Sequence, residues 1–266
     1  MHFFDIHCHL VPGIDDGAKS LDESLAMARL AVEEGIGTII CTPHQCGNSS
    51  HVTGEAIRDQ VGQLQSHLDD ASIPLKVLPG ADVRIEPGLV SMLRNGRVVS
   101  LADRMRHVLL ELPHEVYLPL EPLLGELRSA GVTGILSHPE RNAGILARPE
   151  IMAKLVDGGC LTQVTAGSLN GTFGPASQQA AEQFVSQGLV HFIATDAHGA
   201  RARRPLMRQA YNKCVQLVGE RAAQQMCCHH PAAVAAGGDV PAGRLAICGE
   251  PRQGSRFSNW FRKKSA

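Results

Sequence analysis

The chain lacks several features that would place it at once. It has no run of about 18 apolar residues, so no membrane-spanning helix is expected. Its start, Met1-His2-Phe3-Phe4-Asp5-Ile6-His7, has neither a basic stretch nor a long apolar core, so no secretory signal is expected. Charge of neither sign dominates: 25 basic against 26 acidic residues leave a net charge of −1, which excludes a nucleic-acid binder held by bulk charge. Hydrophobic residues make up 44% and charged residues 19%, which excludes a disordered or fibrous chain. At 266 residues the chain buries a full core without a disulfide staple, and the 8 cysteines read as reduced thiols of a cytoplasmic protein. Several catalytic signatures are also missing. No Gly-x-Ser-x-Gly elbow exists, and none of the cysteines is followed six positions on by arginine, as a thiol phosphatase requires. Lys19 does not directly follow Gly17, so the P-loop spacing fails. Cys227-Cys228-His229-His230 lacks the Cys-x2-Cys spacing of a zinc finger and reads as a helix end. Aromatics are only 4%, yet histidine reaches 13, and those histidines need an explanation.

What is present is alternation. Short apolar runs lie near 2–6, 37–42, 75–79, 107–112, 133–137, 160–165 and 190–195, each the length of a buried strand. Amphipathic stretches separate them. The clearest starts at Ser20, with Glu23 three residues on as in a capping box, and Gly35 ends it. Residues 54–71, 119–130, 149–158, 175–188 and 204–228 read as further helices. Seven strand–helix units imply a parallel sheet with crossover helices. A closed or nearly closed barrel is favoured over an open doubly wound sheet. Residues 1–230 are expected to form this single domain. Residues 231–266 read as a flexible tail, first Ala/Gly/Pro-rich and then basic and aromatic.

The strand ends carry the reactive side chains. His7 and His9 close the first run, His44 follows the second, Asp82 the third, and Glu111 lies in the fourth. His138 and Arg141 follow the fifth, and Asp196 and His198 the seventh. The C-terminal edge of a parallel sheet is where active sites form. His7 and His9, two apart on a strand, point the same way, and imidazoles joined by carboxylates suit a borderline divalent ion. Glu111, amid leucines, is costly to bury unless paired or bound to a cation. Asp15 and Asp16 sit in a turn from which either can lean over the mouth, and Asp5 is placed to orient His7 or His9. The Arg141 guanidinium suits a phosphate, and Arg201, Arg203 and Arg204 crowd the loop after His198.

Asp5-Ile6-His7-Cys8-His9, Pro12-Gly13-Ile14-Asp15-Asp16-Gly17, Thr42-Pro43-His44, His138-Pro139-Glu140-Arg141-Asn142, Thr165-Ala166-Gly167-Ser168-Leu169 and Phe192-Ile193-Ala194-Thr195-Asp196-Ala197-His198 follow one another over roughly residues 1–230. This order resembles the CpsB/CapC group of the PHP (polymerase and histidinol phosphatase) phosphoesterases. The resemblance implies a distorted (βα)7 TIM-like barrel of the PHP fold with three metals. By position, His7, His9 and Asp196 would hold one ion, Glu111 and His138 a second, and Asp16, His44 and His198 the third. Arg141 would grip phosphate, assisted by Arg203 or Arg204, since Pro205 aligns either arginine. Where the family carries a bridging Glu, this chain has Asp82 in Gly80-Ala81-Asp82-Val83-Arg84-Ile85, which keeps the charge on a shorter arm.

The resemblance further implies a metal-dependent protein-tyrosine phosphatase that uses a metal-bridged hydroxide. Mn2+ is the expected ion, with Fe, Co and Zn compatible with the donors. The substrate would be a phosphotyrosine protein, the tail of a bacterial tyrosine kinase of capsule or exopolysaccharide synthesis. The main alternative is a phosphatase for a small phosphomonoester such as histidinol phosphate. An amidohydrolase-like enzyme and a non-catalytic sensor fit less well. The segment 251–266 combines Arg252, Arg256, Arg262, Lys263 and Lys264 with Phe257, Trp260 and Phe261 and has no acid, so the body carries a formal −6. That composition suits either a solubilising end or peripheral contact with an anionic membrane at the inner face. A homo-oligomer is compatible with the sequence; a nucleic-acid partner is not.

Overall fold

The computed structural model describes residues 2–247. Nine strands and eleven helices alternate along it. The strands are β1 (Phe3–Cys8), β2 (Ile36–Cys41), β3 (His44–Gln45), β4 (Lys76–Pro79), β5 (Asp82–Arg84), β6 (His107–Glu111), β7 (Thr133–Ser137), β8 (Leu161–Thr165) and β9 (Phe192–Ala194). The helices are α1 (Leu21–Glu33), α2 (Gly54–Asp70), α3 (Leu89–Arg94), α4 (Glu121–Ser129), α5 (Ala143–Ala147), α6 (Glu150–Asp157), α7 (Ala166–Leu169), α8 (Pro175–Ser186), α9 (Arg208–Val218), α10 (Glu220–Gln224) and α11 (His230–Ala236).

Every strand pair in the ladder is parallel. One sheet has the order β1-β2-β4 and the other β3-β5-β6-β7-β8-β9. The two join because β2 and β3 are one run stepped at Thr42-Pro43, and β4 and β5 one run stepped at Gly80-Ala81. Pro43 has no N–H to give the ladder, but its carbonyl accepts from Asp82 N at 3.1 Å and carries the pairing across the step. Gly80 is required there, because a Cβ would sit 2.6 Å from Ile40 Cγ2. At the other edge, Asp196 N donates to His7 O at 2.7 Å and His9 N to Ala197 O at 2.9 Å, so the last run lies beside the first. The result is the barrel of seven strand–helix units that the alternation predicts, in the distorted form that the resemblance implies.

The barrel interior is split by depth. Its lower part is apolar: Ile6, Ile40, Leu109, Ile135, Leu161 and Phe192, from six strands, form one cluster with Leu101, Val234 and Val240. Its upper part is polar and holds the site. The β1–β2 register is irregular between Asp5 and Cys8, and such a bulge re-aims side chains. Ile6 thereby packs below while His7 serves the layer above. Outside, helix faces cover the strands; α1 starts as its sequence predicts, with Ser20 Oγ accepting from Glu23 N at 3.3 Å. Glu23 returns the favour one residue early, to Lys19 N at 2.9 Å.

Three segments differ from expectation. The helix read over 204–228 breaks at Gly219, whose φ of 86° no side chain adopts comfortably. Cys227-Cys228-His229-His230 does not end a helix: it lies across a π-helical turn, Gln225–His229, and α11. Residues 231–247, expected to open a tail, pack on the barrel. Val234 and Val240 close the apolar floor, and Leu245 N donates to Gly188 O at 2.8 Å. The basic and aromatic segment 251–266 lies outside the described residues.

Candidate metal centre

The fold gathers the predicted side chains at the C-terminal rim. His7 and His9 leave β1, His44 lies in β3 and Asp82 in β5; Glu111 ends β6, while His138 follows β7 and Asp196 and His198 follow β9. His138 (φ 31°) and Asp196 (φ 50°) are held in the left-handed region, a cost of about 1–3 kcal/mol each that the surrounding ladder must offset. The two aspartates of the first turn separate by role. Gly17 presses against His9, where a Cβ would meet its carbonyl oxygen at 2.3 Å, and Gly17 N donates to Asp15 Oδ1 at 2.9 Å. Asp15 is thereby turned inward onto His9. Asp16, 62% exposed, leans across the mouth to His198 Nε2 at 3.4 Å and His44 Nε2 at 3.5 Å.

Asp82 lies at the centre. Its Oδ2 is 3.4 Å from His44 Nδ1, 3.6 Å from His7 Nε2 and 3.9 Å from His138 Nε2. His7 Nε2 and His9 Nε2 approach each other at 3.2 Å, and Asp196 Oδ1 stands 3.3 Å and 3.5 Å from them. Four donor sets have their ligand atoms within 4.8 Å of one another: His9/Asp16/His44/His198, His7/His9/Asp82, His7/His138/Asp196 and His44/Asp82/Glu111. Glu111 thus groups with His44 and Asp82, and His138 with His7 and Asp196. Asp82 stands between the two groups.

The donor chemistry fits divalent ions. Three imidazoles are anchored on their outer nitrogen: His7 Nδ1 to Gln163 Oε1 at 2.9 Å, His9 Nδ1 to Asp15 Oδ2 at 2.6 Å, and His198 Nδ1 to Asp196 O at 3.0 Å. An oxygen on Nδ1 favours a proton there and turns Nε2 toward the cluster, the arrangement that orients a metal-binding histidine. Asp82 Oδ2 and His198 Nε2 are buried with no hydrogen-bond partner. Orphaned acceptors this deep are costly unless something cationic meets them.

The charges respond to one another. Burial opposes ionisation of Asp82 and Asp196, but neighbouring histidines, joined at Asp196 by Arg203, hold both well below the usual carboxylate range. Burial likewise opposes charge on His9, yet Asp15 and Asp196 raise it to about 10. Burial lowers His138 to about 4, and burial with the nearby Asp82 charge raises Glu111 to about 7.

Two arginines close one side. Arg141 and Arg203 both reach Asp196 Oδ2, Arg203 Nη2 at 2.7 Å. A left-handed φ of 49° at Arg203 turns it inward, so Arg203 rather than Arg204 meets the cluster. The Phe173 ring centroid lies 4.2 Å from the Arg141 guanidinium carbon.

Some supports were not read from the sequence. Gln163 orients His7; its only signal is a polar residue inside an apolar strand. Glu140 does not pair with Arg141 but accepts from Thr165 N at 3.0 Å and Ser168 Oγ at 2.7 Å, tying the loops after β7 and β8. Arg84 reaches Glu111 at 3.3 Å, and the His114 ring stacks on His138. Asp5 orients neither imidazole: it accepts from Thr195 N at 3.0 Å and His7 N at 3.2 Å, tying β1 to β9. All seven described cysteines are unpaired, and Cys8, between two imidazoles, is fully buried with its thiol pushed well up by burial.

A parallel α/β barrel with a histidine–carboxylate cluster at its C-terminal rim is the architecture of a metal-binding barrel. The family model described as "Capsular polysaccharide synthesis, CpsB/CapC" matches residues 3–236, and the chain belongs to that family. It is similar to the tyrosine-protein phosphatase YwqE of Bacillus subtilis, 38% identical over 201 residues that cover 75% of this chain and 78% of that one. It also resembles the tyrosine-protein phosphatase CpsB of Streptococcus pneumoniae, 27% identical over 233 residues, 85% of this chain and 96% of that one. A crystal structure from a study of YwqE and CpsB, described as metal-dependent tyrosine phosphatases, superposes with a TM-score of 0.86 at 32% identity. The match covers 91% of this chain and 99% of that one.

Proposed function

We propose that this chain is a metal-dependent protein-tyrosine phosphatase, and that its substrate is a phosphotyrosine protein of capsule or exopolysaccharide synthesis, a bacterial tyrosine kinase. The observation that carries this reading is the buried, unpartnered Asp82 Oδ2 among three imidazole nitrogens, beside two inward-facing guanidiniums. The relatives' activity and family assignment support the substrate class.

His7, His9, Asp16, His44, Asp82, Glu111, His138, Asp196 and His198 would hold up to three divalent ions. The mixed nitrogen and oxygen donors suit Mn2+, and equally admit Fe, Co or Zn. Bound there, such ions supply Lewis acidity toward phosphoryl oxygens and lower the pKa of a water toward neutrality. Gln163, Asp15 and the Asp196 carbonyl hold three imidazoles by Nδ1, with Nε2 toward the cluster. Arg141 and Arg203 present charged forks to the phosphoryl oxygens, and Phe173 keeps the first of them in place. A phenolate leaving group, with a pKa of about 10, needs little protonation. Cys8 is sealed from solvent and is no nucleophile.

No helix among the described residues is long and apolar enough to cross a membrane. Seven unpaired cysteines support a cytoplasmic location, and the five cations and three aromatics of 251–266 support peripheral contact with an anionic membrane face. Relative kcat/KM on phosphotyrosine peptides and on histidinol phosphate tests the substrate class. The peptides should win by at least about tenfold; the reverse order would make this a small-phosphomonoester phosphatase.

A further inference from the structure

A cavity of about 220 Å3 adjoins the metal centre and shares Arg203 with it. Thr195, next to Asp196, and Phe173, packed on Arg141, are part of its lining. Its charge is one-sided. Arg201, Arg203 and Arg204 line it and no carboxylate does. Arg203 is matched by Asp196, whereas Arg201 and Arg204 have no acidic partner within 4 Å among the described residues. Two further lining groups are incomplete: Arg203 Nε and Asn170 Oδ1 are buried without a hydrogen-bond partner. A ligand oxygen would satisfy the first, and a turned Asn170 amide would offer the same ligand a donor nitrogen. Guanidinium forks match carboxylate and phosphate, and so wide an excess of donors has no use for an apolar group.

We infer that this cavity is a second anion subsite, which holds an acidic side chain of the substrate, carboxylate or phosphate, close in sequence to the phosphotyrosine. The inference rests on the phosphotyrosine reading and adds a preference to it: acidic or multiply phosphorylated segments over neutral ones. Phe173 couples the two sites, since the same ring touches Arg141 in one and walls the other.

The test uses the full-length holoenzyme and phosphotyrosine peptides of one length, flanked by Gln, Glu, phosphoserine or Lys. Initial rates give kcat and KM. Fluorescence anisotropy of matching peptides with a non-hydrolysable phosphonate in place of the phosphate gives binding without turnover. The Glu or phosphoserine peptide should bind about three- to tenfold more tightly than the Gln peptide, with kcat unchanged. Arg201→Gln should remove that difference, and Arg201→Glu should turn it toward the Lys peptide. Rates on p-nitrophenyl phosphate should stay the same in both variants. A gain with phosphoserine alone identifies the occupant as phosphate. Equal binding of all four peptides by the wild type would overturn the inference, as would an Arg201→Gln loss shared with p-nitrophenyl phosphate. No turnover of the Gln peptide would instead contradict the phosphatase reading, and the anisotropy ratios would still decide the subsite.

Discussion

Asp82 is the residue on which the site's arithmetic turns. It is fully buried and faces three imidazole nitrogens with an oxygen that has no hydrogen bond. Burying an ionised carboxylate is tolerable only with a compensating charge. Asp82→Asn keeps the shape and removes the charge, so metal retained after dialysis, measured by plasma mass spectrometry, should fall by at least one equivalent. Asp82→Glu, with a longer arm, should keep metal. Full metal content in Asp82→Asn would mean that the carboxylate is not a ligand. The ligand candidates were legible because histidine and carboxylate recur at the ends of apolar runs. Their supports were not. Gln163 and Glu140 act through partners 156 and 25 residues away in sequence, a separation at which spacing carries no signal. Arg203 was chosen over Arg204 by a backbone angle that neighbouring residue types do not encode.

At the level of elements, the site depends on turns as much as on strands. The turn from Leu10 to Ser20 aims Asp15 at His9 and Asp16 at His198 and is pinned by Gly17 against His9. A Cβ at Gly17 would stand 2.5 Å from His9 Cβ, with backbone rather than a flexible tip also in the way. Gly17→Ala should therefore cost about 1–3 kcal/mol in urea unfolding. It should also weaken metal binding, because His9 and Asp15 shift together. Unchanged stability and metal affinity would show that the turn is not a positioning device. The seven main strands were readable as apolar runs. The two- and three-residue strands β3 and β5 were not, since each exists only as the stepped continuation of a neighbour across Pro43 or Gly80. That step lets one barrel present an apolar floor and a polar rim.

The whole molecule is also built on buried neutral histidines outside the site. Burial lowers His107 and His191 to about 4. Both are neutral when folded, whereas the unfolded chain protonates near pH 6.5. Below that value the unfolded state binds the extra protons, so stability falls as pH drops from about 6.5 toward about 4. The two groups together allow at most about 2.7 kcal/mol per pH unit. Equilibrium unfolding from pH 7.5 to 5 should show this slope, and His107→Leu should flatten it, since His107 Nδ1 has no hydrogen-bond partner to lose. An identical slope in the variant would remove His107 from the account. The packing of 231–247 belongs to this scale as well. An Ala/Gly-rich composition reads as linker, but Val234 and Val240 have a place only once the barrel floor exists to receive them.

The central claim is that phosphotyrosine hydrolysis occurs at a metal cluster on this rim. Its most direct test is the initial rate on a phosphotyrosine peptide, measured for the wild type and His138→Ala after chelation and again after Mn2+ is restored. The wild type should lose activity with chelator and regain it with Mn2+, and His138→Ala should be at least about 10²-fold slower than the wild type once Mn2+ is restored. A wild-type rate that survives chelation, or a His138→Ala rate equal to the wild type, would contradict it.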